Sequence, residues 1–120
     1  MLPITRRIPH YYQYTSEESI SDELKDELKD AIDDTVRAYR DYTFVMELWE
    51  SPEMRQQFTA WLQNEGQLRY DVYRDASARF QEVVTEIESV YGFASTQFIR
   101  RARIRLNSRL RYRSVRERRC

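Results

Sequence analysis

Glycine occurs only twice and proline only three times in this 120-residue chain. All-β sandwiches need many tight turns, and turns draw heavily on those two residues, so their scarcity points to few, long elements. Two glycines also cannot build a glycine-rich phosphate loop. The single cysteine, Cys120, excludes an intrachain disulfide and a metal site made of paired cysteines. The one histidine, His10, has no companion in a metal or nucleophile pattern, and no serine sits in a nucleophile motif. No apolar run approaches the ~18 residues of a membrane span. No apolar stretch follows the opening residues Met1 to Arg7, as a secretory signal would require. These absences predict a non-enzymatic, intracellular protein of cytoplasm or nucleus, with no cofactor, no metal, no small-molecule substrate and no membrane partner.

What is present is charge and aromatic surface. Charged residues make up 33% of the chain and hydrophobic residues 41%, a balance that suits elongated helices with much exposed face. Nine tyrosines, five phenylalanines and two tryptophans set it apart from a disordered chain. The length predicts one domain with one modest core.

The net charge is zero only by cancellation. Residues 17–53 hold 13 acidic against 4 basic residues, and residues 100–120 hold 10 arginines against one acid, Glu117. A block of −9 therefore stands against a block of +9. Such asymmetry points to polyanion binding or to charge-mediated assembly. The cations are 18 arginines and 2 lysines. Arginine is the better bidentate partner for phosphate and stacks on bases, although genome composition can produce the same skew.

Along the chain, residues 1–15 contain Pro3, Pro9 and the run His10 to Tyr14. They read as an extended arm that lays Tyr11, Tyr12 and Tyr14 over the core. Thr15 and Glu18 fit a capping box that opens a first helix at 15 or 16. Its apolar stripe runs Ile20, Leu24, Leu28, Ile32, Val36, Tyr39, Tyr42, Met46, Trp49, close to the ~3.6-residue helical period. Ser51 and Pro52 start a short second helix, which ends at Gly66. A third helix follows through Leu68, Val72, Ala76, Phe80, Val83, Ile87 and Val90 and stops at Gly92. A fourth starts at Ser95 or Thr96, with a narrow apolar strip of Ile99, Ala102, Leu106 and Leu110. Most aromatic residues of the helical segments fall at core spacing.

The predicted fold is all-α: a small bundle of three long helices and one short helix, with an extended aromatic N-terminal arm. Residues 1–15 form the arm, 16–99 a helical core with an acidic first helix, and 100–120 an arginine-rich C-terminal helix and tail. One local alternative stays open: residues 102–106 and 110–112 also alternate like paired strands of a hairpin about 107–109.

The candidate functional residues are Arg100, Arg101, Arg103, Arg105, Arg109, Arg111, Arg113, Arg116, Arg118 and Arg119. A solvated face usually mixes signs, whereas this segment lacks its anionic partner. Nucleic acid supplies one, with contact mainly to backbone and RNA favoured over DNA because arginine-rich segments order on RNA. Another protein surface supplies the other, through pairing of acidic and basic helices within or between chains. Phe44, Val45, Leu48 and Trp49 make one end of the first helix apolar on more than one face. Such a segment is either central in the fold or buried against another chain, and the second reading makes it a protein interface of an expected homo-oligomer. The carboxylates Asp22, Asp26, Asp33 and Asp34 read as a solvated face rather than a metal or acid–base site.

Overall fold

The computed structural model describes residues 19–119, and side chains through residue 111. The N-terminal arm and the Thr15 capping box lie outside the described residues. Within them the chain is helical almost throughout, with no strand.

The first helix, α1, spans Asp22–Glu50 and is capped by Ser21, whose Oγ accepts a hydrogen bond from Leu24 N at 3.2 Å. Ser21 is extended (φ −61°, ψ 147°), so no single helix runs from residue 16 through to Trp49. The true start carries Asp22 and Glu23 in its first turn, where negative charge favours the helix dipole. Ser51 ends α1 and caps the next helix through its Oγ to Met54 N, with Pro52 in the first turn.

That next helix, α2, is only Pro52–Gln57. The chain kinks at Phe58 and continues as α3, Thr59–Tyr91. Hydrogen bonding bridges the kink, from Phe58 N to Met54 O and from Leu62 N to Phe58 O.

The expected stop at Gly66 does not occur, because Gly66 lies inside α3. It sits opposite Val45 of α1, 3.8 Å from where a β-carbon would be. Gly92 is the real stop, at φ 58°, and is the single positive-φ residue among those described. A 3₁₀ turn over Gly92–Ser95 leads into α4, Thr96–Arg119. Residues 100–113 are therefore helix and not hairpin.

α1 and α3 run antiparallel. Tyr42 meets Tyr70, Tyr39 meets Tyr73, and the Ser21 N–H donates to Tyr91 Oη at 2.8 Å. Buried Thr35 ties the two together, its hydroxyl shared between Ala31 O and Ala76 O. α4 folds back along the lower part of this hairpin, parallel to α1. The core lies where all three helices meet: Leu24, Leu28, Ala31, Ile32 and Val36 of α1; Phe80, Val83, Val84 and Ile87 of α3; Ile99, Ala102 and Leu106 of α4. The molecule is a rod of 76 × 26 × 17 Å.

The rod shape corrects the expected core. Of the aromatic residues placed there by spacing, Phe80 is buried, Tyr39, Tyr42, Trp49 and Tyr73 are half-buried, and Phe44, Phe58, Trp61 and Tyr70 are exposed. Leu68, Val72 and Val90 are exposed as well. Two helices bury one seam between them, and only a third turns that seam into a core. The three-helix core cluster ends at Val36 of α1 and Phe80 of α3, and beyond them, toward the hairpin's far end, Ala38, Val45 and Leu62 are buried outside that cluster.

Candidate nucleic-acid interface

The orientation of α4 is set by its apolar strip. Ile99, Ala102 and Leu106 are buried and Leu110 is half-buried, as their spacing predicts. At 100° per residue this fixes where the cations stand. Arg101, Arg105 and Arg109 form a row on the flank nearest α1. Arg103 lies on the α3 flank and donates to Gln81 Oε1 at 3.3 Å. Arg100 and Arg111 stand together on the outward face, between Arg103 and exposed Ile104. All six arginines are exposed. Arg113, Arg116, Arg118 and Arg119 continue the same helix, and their side chains lie outside the described set.

Arg109 Nη1 meets Asp33 Oδ1 of α1 at 2.6 Å, with both side chains about 40% exposed. Among the described residues Arg100, Arg105 and Arg111 form no ion pair, and neither do Asp22, Glu23, Asp26, Glu27 and Asp30 of α1. Asp34 turns the other way, toward Arg37 and toward Arg79 of α3. Among the described residues, the Asp33–Arg109 ion pair joins the two charge blocks. The i,i+4 spacing of Arg101, Arg105 and Arg109 also sets like charges together, at a few tenths of a kcal/mol per pair in an isolated helix.

Helical geometry explains the poor match. Glu23, Glu27 and Asp30 lie on the flank of α1 away from α4, while Lys25 and Lys29 lie on the flank toward it. Those two lysines, the only ones in the chain, join Arg101 and Arg105 around a cleft of about 210 Å³ between α1 and α4. Asp26 also lines it, and Leu28, Ile32, Phe98 and Ala102 form its floor. Charge counting enters these lysines only as two of the 4 basic residues of the acidic block 17–53. Their i,i+4 spacing on an otherwise acidic surface is the signal that could have found them.

The expected protein interface lies at the far end of the α1–α3 hairpin. Phe44 is 57% exposed, and Leu48 and Trp49 are half-buried. Val45 is buried within its own chain beneath them, opposite Gly66. The Arg55 guanidinium lies 5.7 Å from the centre of the Trp49 ring and donates to Trp49 O. Exposed Phe58 and Trp61 add to this surface, which includes an apolar cleft of about 250 Å³ between Tyr42, Met46, Leu62 and Tyr70.

Among the described residues no group of three or more histidine, cysteine or acidic side chains is placed to hold a metal ion. Among the described residues no helix is long and apolar enough to cross a membrane. No protein-family model matches the chain, and no curated protein or solved structure does either.

Proposed function

We propose that this chain is a non-enzymatic nucleic-acid-binding protein, with RNA the favoured ligand, that contacts phosphates through the arginines of α4. The observation carrying this reading is the exposed set on α4, in which Arg100, Arg105 and Arg111 form no ion pair among the described residues although an acidic helix lies alongside. Cations held out from a helix whose apolar strip is already packed gain most from an external polyanion, which binds with release of counterions. α4 has 24 residues, about 36 Å of helix at ~1.5 Å per residue, enough to track several phosphates. No base-reading motif accompanies the arginines, so the contact is to backbone and shape. Packaging, protection or sequestration of RNA within the cytoplasm or nucleus fits such binding. Protein purified at low salt should carry nucleic acid, seen as a raised 260/280 nm absorbance ratio that falls after a high-salt wash. Clean protein that retains no labelled RNA at low salt overturns the reading.

A second reading has its own support. Acids on α1 and arginines on α4 that form no ion pair among the described residues, such as Asp30 and Arg105, can pair between chains, and exposed Phe44, Phe58 and Trp61 offer apolar surface for a homo-oligomer. Light scattering at low and high salt tests this assembly role. A monomer at both salts removes it.

A further inference from the structure

The two lysines of the acidic helix face the arginine row. Residues 25, 29 and 33 of α1 and residues 101, 105 and 109 of α4 each follow i,i+4 spacing, and the helices run parallel. The third rung joins opposite charges, Asp33 and Arg109. At the other two, Lys25 and Lys29 share one cleft with Arg101 and Arg105. A helix that needed only to dock against arginines has many acids to spare for those places, and Asp33 shows what such docking looks like. Instead the only two lysines stand there, and neither forms an ion pair among the described residues. Like charges held around one cleft repel, and an anion seated between them turns that repulsion into attraction.

We infer that the cleft between α1 and α4 is a phosphate site, formed by Lys25 and Lys29 from one helix and Arg101 and Arg105 from the other. This rests on the nucleic-acid reading for its natural ligand, a backbone phosphodiester of bound RNA. Even with Arg101 left out of the count, Lys25, Lys29 and Arg105 against one carboxylate, Asp26, give the lining a net positive charge. The floor of Leu28, Ile32, Phe98 and Ala102 offers no competing acceptor side chain. Arginine supplies planar paired donors and lysine a mobile point charge, a combination suited to a tetrahedral oxyanion. The site gives the acidic half of the chain a part in binding, and the acids on the far flank of α1 keep a polyanion on this side of the rod.

The test uses the full chain and two probes. In amide chemical-shift titrations, inorganic tripolyphosphate should move residues 25–32 and 98–105 ahead of the rest of α4. Lys25→Gln with Lys29→Gln should abolish those shifts, and Lys25→Arg with Lys29→Arg should restore them. Shifts spread evenly along α4, or undiminished in the glutamine variant, overturn the site. With single-stranded RNA, the glutamine variant should lower the salt slope of binding by about 1.4, at ~0.7 per lost contact. RNA binding with an unchanged slope overturns the cleft and leaves the outward arginines as the binding surface. Tripolyphosphate binding that needs both lysines, in a protein that binds no RNA, upholds the cleft and overturns the nucleic-acid reading.

Discussion

Asp33 Oδ1 and Arg109 Nη1 meet at 2.6 Å and join the acidic first helix to the arginine helix. Both groups are well exposed, so water screens the pair, and exposed ion pairs contribute ~0–1 kcal/mol. Asp33→Asn should therefore lower the unfolding free energy by less than about 1 kcal/mol. It should also tighten RNA binding, because it removes a carboxylate beside the arginine row. Chemical denaturation and filter binding check both parts. Weaker RNA binding would assign Asp33 a positioning role that this account does not give it.

The unpaired arginines make a separate prediction. Arg100→Gln, Arg105→Gln and Arg111→Gln together should weaken binding to every RNA sequence alike and reduce the salt slope by about 2, at ~0.7 per lost contact. The melting temperature should hold steady, since no ion pair among the described residues is lost. A sequence-dependent loss would show base contacts instead.

The two glycines should respond with opposite signs. Gly66 is inside a helix, and an added methyl there meets Val45 Cγ1 at an ordinary 3.8 Å. Gly66→Ala should stabilise the fold by roughly 0.5–1 kcal/mol. Gly92→Ala meets no atom within 4 Å, yet φ of 58° strains any β-carbon. It should destabilise by about 1–3 kcal/mol. Thermal melts of the pair decide it.

Much of the fold was legible because α4 and the lower part of α1 obey one period throughout. Ile99, Ala102, Leu106 and the Leu24–Leu28–Ile32–Val36 stripe are buried as their spacing requires. Gly66 misled because glycine in a helix and glycine ending one look alike until Val45 is seen opposite. Trp61, Leu68 and Val72 misled because spacing gives the face a residue is on, not whether a third helix reaches that height. At the site, charge counting located the arginines. Only the parallel packing of α1 and α4 brings Lys25 and Lys29 to them.

The core makes a stability prediction. Ile87 is fully buried where the three helices meet. Ile87→Ala should cost about 2–5 kcal/mol, from lost burial and the cavity left behind. Urea denaturation measures it. A loss under 1 kcal/mol would mean that the three-helix junction is not the centre of stability.

The most direct test of the central claim is the affinity for single-stranded RNA as a function of salt, from about 50 to 200 mM. With the α4 arginines as the contact, log affinity should fall linearly with log salt, with a slope of several units in magnitude. The charge-neutralised α4 variant should lie on a distinctly shallower line. No measurable binding at the lowest salt, or an affinity indifferent to salt, would contradict the claim that these arginines take a phosphate backbone as their partner.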